Sequence, residues 1–366
     1  MDRYAVALAT RADEPEIRAL VASVAMPGSV AIRFEREPDY LLGTSVMGDP
    51  CDVVVVREAA SGRLAGVGCR GERRVFVDGR EARVGYLGGI RVAPGHRGRW
   101  LLAYASRWLA GEGRTSIPYF GVVARDNPRA RDLLVGRRAP RAPDPLRVVR
   151  LAGLTSCSIL LRPSRVRRPP GVAVGPATAS ELPEVIAFLR REGARRQLYP
   201  AYRERDLVDG TLRDLAVGDI AVARRRGEIV GTLAAWDQSG FKQDVVDGYG
   251  PTLRRLRPAY DLAARLLGAQ PLTRPGEAVP LALGACLAVA GDDPDLFDAL
   301  LDAAGESARH RGKAYLMLGL ADEDPLLARL RRRLSVRYRS DLYSLAWPPA
   351  EPIAAGRVPY IEIAAL

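Results

Sequence analysis

An internal repeat constrains the fold of this chain more than any other feature of its sequence. Residues 9–21 resemble residues 177–189: Ala, Thr, Pro, Glu and Ala recur identically at a shift of 168 residues, and apolar residues face apolar ones. Residues 52–66 and 219–231 share a hairpin-like pattern of an apolar run, a glycine turn and a second run. Two similar units in 366 residues match the usual size of a domain.

The shift between the copies increases further along the chain, which locates an insertion. Residues 90–93 resemble residues 287–290, and Asn127-Pro128 resembles Asp324-Pro325, both at a shift of 197 residues. The second copy therefore carries about 30 extra residues, which we assign to 237–280. The sequence predicts a first domain over 1–162, a Pro- and Arg-rich linker over 163–171, a second domain over 172–348 and a tail over 349–366.

Apolar periodicity predicts that strands and helices alternate in each copy. This pattern favours an α/β (α+β) fold in which each copy has a mixed central sheet flanked by helices. In the insertion, residues 245–249 and 253–267 both show helical spacing, so a helical insertion is expected. The other predicted elements are strands 82–92, 116–124, 281–289 and 314–320 and helices 98–110, 127–135, 295–309 and 325–334.

The composition of the chain argues against a membrane-spanning, a secreted, a metal-binding or a disulfide-rich protein. The chain is 48% hydrophobic, but it has no run of about 18 apolar residues and no signal-peptide core at its start, so a cytoplasmic protein without a membrane span is expected. The four cysteines are widely spaced and only two histidines occur, which argues against a metal site and a disulfide framework.

The positive charge of the chain is carried almost entirely by arginine. The net charge is +12, and Lys242 and Lys313 are the only lysines. Guanidinium groups suit phosphate-bearing partners, although a solvated basic surface has the same composition. No basic run is interleaved with aromatic residues, so a nucleic-acid partner is not expected.

Two motifs in the first copy resemble those of the GNAT superfamily, the acyl-CoA-dependent N-acetyltransferases. The segment 92–102, Val-Ala-Pro-Gly-His-Arg-Gly-Arg-Trp-Leu-Leu, is similar to the family's loop that opens a helix after a strand. Residues 127–134, Asn-Pro-Arg-Ala-Arg-Asp-Leu-Leu, are similar to its Asn-x-x-Ala-x-x-Leu-Tyr motif. Three positions depart from the family pattern: Trp100 and Leu102 are bulky where small residues are usual, and Leu134 replaces the usual tyrosine acid.

The resemblance implies an N-acyltransferase that moves an acyl group from acetyl-CoA or another acyl-CoA to a small-molecule or peptide amine. The family holds the pyrophosphate of CoA at a helix N-terminus, where free N–H groups and the helix dipole favour anions. With Leu134 in place of the acid, Tyr119 and Tyr86 become the candidates for proton transfer. The resemblance assigns cofactor binding to Ile90, Arg91, Val92, Arg97, Gly98, Arg99, Trp100, Leu101, Asn127 and Arg129.

Other interpretations stay open at this stage. The second copy has Asp292, Asp293 and Asp295 at the corresponding helix start, where carboxylates suit the helix dipole but repel a pyrophosphate, so a self-capped helix in a degenerate domain is expected. The insertion is interpreted as a lid, a homodimer surface, a docking face for an acyl carrier protein, or an added structural layer. The alternatives to an acyl-CoA enzyme are a non-catalytic scaffold of the same fold and an acyltransferase that uses an acyl carrier protein or aminoacyl-tRNA as donor.

Overall fold

The computed structural model describes residues 3–26, 28–97, 101–135, 146–163, 168–208 and 210–366. Within these ranges the strands are β1 (Tyr4–Leu8), β2 (Val30–Glu35), β3 (Cys51–Glu58), β4 (Leu64–Val77), β5 (Arg80–Val92), β6 (Tyr119–Ala124), β7 (Arg147–Leu160), β8 (Val172–Pro176), β9 (Ile220–Arg225), β10 (Glu228–Trp236), β11 (Gln243–Tyr249), β12 (Leu281–Val289), β13 (Tyr315–Ala321) and β14 (Ser335–Ala346). The helices are α1 (Glu14–Ala22), α2 (Tyr40–Thr44), α3 (Leu101–Gly111), α4 (Pro128–Val135), α5 (Leu182–Gly193), α6 (Arg205–Val208), α7 (Pro251–Leu266), α8 (Pro294–His310) and α9 (Leu327–Leu330). The predicted α/β architecture, a mixed sheet flanked by helices, is confirmed.

Twelve of these strands form one continuous sheet in the order β1-β3-β4-β5-β6-β14-β7-β13-β12-β10-β9-β8. The last strand of each predicted copy lies next to strands of the other. Strand β14 pairs with β6 on one side and with β7 on the other, and β7 also pairs with β13. The strands before and after the predicted boundary at residue 162 therefore belong to one sheet.

The 197-residue shift found in the sequence also relates the backbone of the two copies. Strands β5 and β6 are parallel at Gly85 and Tyr119, and β12 and β13 are parallel at the equivalent Ala282 and Leu316. The ladders that β5 and β12 make with their antiparallel neighbours are each interrupted by a bulge. Gly89 and Cys286, again 197 residues apart, have positive φ at these bulges. The two copies thus share the local geometry that makes two neighbouring strands diverge.

Two predictions of local structure are wrong. Residues 245–249 form the end of strand β11, not a helix, and β11 pairs with β2 of the first copy in a separate two-stranded ribbon. Val245 and Val246 pair in regular register with Arg33 and Ile32, so their side chains point to opposite faces, and both are buried. Burial on both faces hides the alternation that marks a strand. The insertion is therefore part strand and part helix, with α7 covering most of 253–267. The helix predicted over 325–334 is reduced to α9, because β14 begins at residue 335.

Helices pack on both faces of the first half of the sheet. Helix α1 contributes Ile17 and Val21 to the core on one face, whereas α3 places Leu101 against Tyr4 and Ala65 on the other. The segment 349–366 is not a loose tail, because side chains such as Ile353, Tyr360 and Ile361 are buried in the core. In the part of the chain that the structure describes, no helix is both long and apolar enough to cross a membrane.

Candidate active site

A cavity opens in the first copy where strands β5 and β6 separate. The two strands are paired only at Gly85–Tyr119 and Tyr86–Phe120. Beyond this point β5 stays with β4, whereas β6 stays with β14. The cavity lies in the resulting gap, between residues 87–92 of β5 and residues 121–124 of β6. Exposed backbone in such a gap offers N–H and C=O groups that a neighbouring strand would otherwise use.

The cavity is roofed by the ribbon of β2 and β11 and extends to the second copy. Ile32 and Phe34 of β2, Asp244 of β11 and nearby Lys242 line it, as does Met317 of β13. Its volume is about 1700 Å³, larger than the ~300–1,000 Å³ of pockets that hold one drug-sized molecule. The site can therefore accommodate two ligands at once.

All of the predicted cofactor-binding residues that the structure describes come together at this cavity. They are Ile90, Arg91, Val92, Arg97, Leu101, Asn127 and Arg129. Asn127 is the N-cap of α4, since its Oδ1 accepts a hydrogen bond from the Ala130 N–H at 3.1 Å. Gly98, Arg99 and Trp100 lie outside the described residues, as do the side chains of Leu102 and Leu134. The structure therefore describes only the residues that flank the predicted phosphate loop.

The two candidate tyrosines have different environments, and only Tyr86 lines the cavity. Its hydroxyl lies over Gly88, where an added Cβ would be 2.0 Å from Tyr86 Oη. Burial raises the pKa of Tyr86 to about 12, although the Arg73 guanidinium, 4.7 Å from the ring centroid, acts in the opposite direction. The phenol therefore keeps its proton at neutral pH, and a glycine leaves room for it at the point where the strands diverge.

Tyr119 is fully buried and does not reach the cavity. Its hydroxyl donates to the backbone oxygen of Arg114 and accepts from Arg70 Nε at 2.7 Å. Its ring packs over Gly85 and edge-on to Trp347. The two candidate tyrosines are thus not equivalent. Tyr119 is a packed core residue whose hydroxyl already donates one hydrogen bond and accepts another.

Arg91 differs from the other predicted cofactor-binding residues in the direction of its side chain. Its neighbour Val92 packs with Leu101 on the α3 face of the sheet. The Arg91 guanidinium instead lies 5.3 Å from the ring centroid of Phe34, under the roof on the opposite face. Alternation along a strand explains this split, since adjacent side chains point to opposite faces.

Sequence reasoning missed two residues of the roof, Lys242 and Asp244. Both line the cavity, and burial lowers the pKa of Lys242 to about 7 and raises the pKa of Asp244. Lys242 Nζ donates to the backbone oxygens of Ala364 and Leu366 at 3.1 and 2.7 Å. The scarcity of lysine was the one available signal, because an isolated lysine in an arginine-rich chain stands out.

The equivalent gap in the second copy is filled by the chain itself. Between β12 and β13, Glu362 accepts a hydrogen bond from the Cys286 N–H at 2.9 Å. On the other side of the gap, Ile363 fits against Gly319, where an added Cβ would be 2.6 Å from Ile363 Cγ2. Residues 360–364, which we call the plug, thus occupy the position that is open in the first copy.

The acidic loop of the second copy adopts the expected self-capped structure. Asp293 caps α8 by accepting hydrogen bonds from the N–H groups of Asp295 and Leu296 at 2.9 and 3.3 Å. Asp292 is paired with Arg195 and Arg196. These carboxylates are therefore used within the protein, which accounts for them without a ligand.

Solved structures with this architecture cover the whole chain. A GCN5-related N-acetyltransferase from Sphaerobacter thermophilus aligns over 100% of this chain and 99% of its own, with 14% identity and a TM-score of 0.57. The N-myristoyltransferase of Saccharomyces cerevisiae, solved with bound myristoyl-CoA, aligns over 99% of this chain and 88% of its own, with 10% identity and a TM-score of 0.60. The chain has the GNAT fold. The resemblance found in the sequence is thereby confirmed at the level of fold.

A third structure shares the fold over part of its length. It is the glucosamine N-acetyltransferase region of a fungal multi-domain GH3 β-N-acetylglucosaminidase, aligned over 93% of this chain and 38% of its own, with 16% identity and a TM-score of 0.59. No model of a protein family and no curated protein sequence matches the chain. At identities of this size the likeness concerns the fold, so activity is argued from the residues of the cavity.

Proposed function

We propose that this protein is an acyl-CoA N-acyltransferase whose single active site is the cavity between β5 and β6. The observation that carries the proposal is the open gap of the first copy. The cavity in this gap is lined by the described cofactor-binding candidates and by Tyr86, and it continues under the roof. The GNAT fold supports it, because the similar structures include N-acetyltransferases and an N-myristoyltransferase with bound myristoyl-CoA.

The donor side of the cavity is the side of α3 and α4. Arg97 and Arg129 are exposed at its edge, where their guanidinium groups would hold phosphate oxygens. Ile90 and Val92 offer the free edge of β5 to an extended pantetheine chain, and Leu101 supplies an apolar contact at the start of α3. Gly88 and Gly121 have no side chain, which leaves room for a thioester between the strands.

Acyl-CoA supplies an activated thioester, whose carbonyl carbon accepts the amine nitrogen while the bond to sulfur breaks. Tyr86 donates its proton to the departing sulfur, for which its raised pKa keeps it protonated. Asp244, which lines the acceptor chamber and has a raised pKa because of burial, takes the proton that the ammonium group of the acceptor must lose. The nitrogen loses a second proton as the amide forms, and this proton restores the phenol of Tyr86. The products are therefore the amide and the thiol of CoA, with one proton held by Asp244.

The proposal is tested by following free thiol release from acetyl-CoA and longer acyl-CoAs with a panel of amines. Tyr86→Phe removes only the proton donor, so we expect kcat to fall by about 10²-fold while the affinity for CoA stays within about threefold. Tyr119→Phe is the matched control, since its hydroxyl bonds to Arg70 and Arg114 outside the cavity. We expect it to lower the melting temperature and to leave kcat nearly unchanged.

Other outcomes distinguish the alternatives. Absence of both CoA binding and thiol release would favour a non-catalytic scaffold. Salt-sensitive association with a purified acyl carrier protein or aminoacyl-tRNA, without CoA binding, would favour the other donors. For the carrier protein, the candidate surface is α7, which exposes Leu256, Leu262 and Leu266 beside Arg254 and Arg255. A homodimer through the same helix would appear as a doubled mass in solution.

A further inference from the structure

Two arginines under the roof of the cavity, Arg36 and Arg91, lack an acidic partner among the described residues. Arg36 is only 7% exposed, and the Nε atoms of both residues are buried without any hydrogen bond. Each guanidinium donates from Nη1 to a backbone oxygen only, that of Glu35 or of Ile90, at 2.9 Å in both cases. Both residues line the cavity, and among the described residues no carboxylate lies within ion-pair distance of either guanidinium.

The two guanidinium groups occupy the same part of the chamber. Arg36 directly follows β2, and its side chain is held against Gly43 of α2, where an added Cβ would be 2.7 Å from Arg36 Cδ. The Arg91 guanidinium lies over the ring of Phe34, which is in β2, two residues before Arg36 in the chain. Both positive charges act to lower the pKa of the Cys69 thiol, so both lie in the neighbourhood of this residue of β4.

Of the described residues, Arg36 and Arg70 are the arginines with less than 9% exposure, and only Arg70 is paired. It is 3% exposed and bonded to Asp52 and Glu72 at 3.1 and 2.6 Å. A buried cation without a partner destabilises a fold, and a hydrophobic residue of similar volume would avoid that cost. Arg36 and Arg91 therefore need another explanation, and an anion that enters the cavity supplies one.

Lys242 and Asp244 are two other ionisable groups near these arginines. Asp244 faces both Lys242 and Arg36, since both act to lower its pKa, while burial lowers the pKa of Lys242 to about 7. The phosphates of the donor are accounted for separately, because Arg97 and Arg129 lie at the α3 and α4 edge. The acceptor side thus contains two guanidinium groups that form no ion pair among the described residues.

We propose that the acceptor is an amine that also carries a carboxylate, such as an amino acid or a short peptide, and that Arg36 and Arg91 bind this carboxylate. The inference rests on the proposed function, since it names the acceptor class of the same site. Two guanidinium groups in the lining of one chamber suit a carboxylate, which accepts several charge-assisted hydrogen bonds. Binding the acid fixes the amine at a set distance from the reacting carbonyl, which is the positioning that acyl transfer needs.

The experiment compares matched acceptors that differ only in charge. Thiol release is measured with phenylalanine and phenylalaninamide, and with glycine and glycinamide, on the full chain. We expect kcat/KM to be at least about tenfold higher for the acids. In Arg91→Gln this preference should be lost through a raised KM, whereas Arg36→Lys should keep part of it. Arg226→Gln, which removes an exposed arginine from the turn between β9 and β10, should change neither value.

A second measurement does not depend on turnover. Benzoate is expected to raise the melting temperature of the wild-type protein, benzamide to raise it less, and Arg91→Gln to abolish the benzoate effect. If no amine releases thiol and this pattern is nevertheless seen, the carboxylate site stands and the proposed function fails. If thiol is released equally from acids and amides, or if benzoate and benzamide act alike, the carboxylate site is refuted, whatever the fate of the proposed function.

Discussion

Glu362 in the plug should make the stability of the fold depend on pH. Its side chain is 2% exposed, and Oε2 accepts hydrogen bonds from the Tyr202 hydroxyl, the Cys286 N–H and the Tyr360 hydroxyl at 2.7, 2.9 and 3.2 Å. The other oxygen, Oε1, is buried without a partner. Burial accordingly raises the pKa of Glu362 from 4.5 to about 7.

The sign and size of the effect follow from this shift. A carboxyl with a raised pKa keeps its proton in the folded state while the unfolded chain loses it, so its stabilising contribution is complete below about pH 4.5 and decreases as pH rises to about 7. At 1.36 kcal/mol for each pKa unit, the loss is about 3 kcal/mol. Glu362→Gln cannot ionise, so its free energy of unfolding should match that of the wild type near pH 4.5 and exceed it by about 3 kcal/mol near pH 8.

Urea unfolding at intervals between pH 4.5 and 8 measures this difference directly. Glu351→Gln is the matched control, because Glu351 belongs to the same C-terminal segment but its side chain is 70% exposed beside Arg147. Its effect should stay within about 1 kcal/mol at every pH. If the free energies of unfolding of wild type and Glu362→Gln differ by the same amount at every pH in this range, the pKa of Glu362 is not raised. That result would mean that the plug is open to solvent.

Three further substitutions test the two gaps. Gly88→Ala places a Cβ 2.0 Å from Tyr86 Oη, so it should displace the hydroxyl and lower kcat at least about tenfold in the thiol-release assay; an unchanged kcat would remove Tyr86 from the chemistry. Gly319→Ala crowds Ile363 in the plug and should reduce the free energy of unfolding by about 1–3 kcal/mol in urea, whereas a neutral result would mean that the plug moves freely. Asp244→Asn should lower kcat by about 10²-fold without changing CoA affinity measured by calorimetry, and full activity would exclude Asp244 as the base.

Much of the fold was predictable because its signals are local or repeated. The strands β5 and β12 and the helices α3, α4 and α8 follow from apolar spacing and turn residues, and the 197-residue shift holds down to the register of the parallel strand pairs. The exchange of β7 and β14 between the halves was not predictable, since it depends on pairing between strands about 190 residues apart. Strand β11 was predicted as a helix because it is covered on both faces, so that two adjacent valines are buried and no alternation marks the strand.

The candidate site was predictable where a motif marks it and unpredictable where only the fold assembles it. Arg97 and Asn127 were found through motifs, and both line the cavity. Tyr86 and Tyr119 could not be separated from the sequence, because each is an aromatic residue of a strand and the bulge of β5 decides what reaches the gap. Arg36 and Asp244 are distant in the chain and come together only when β2 pairs with β11.

Calorimetric titration of the full chain with CoA tests the assignment of the site most directly. We expect a stoichiometry of one, because the first gap is open and the second holds the plug. Combined replacement Arg97→Ala and Arg129→Ala should weaken binding by at least about tenfold, whereas Arg255→Ala should not affect it. Two equivalent sites, or unchanged affinity in the double variant, would contradict the assignment of the site, and no binding at all would contradict the proposed function.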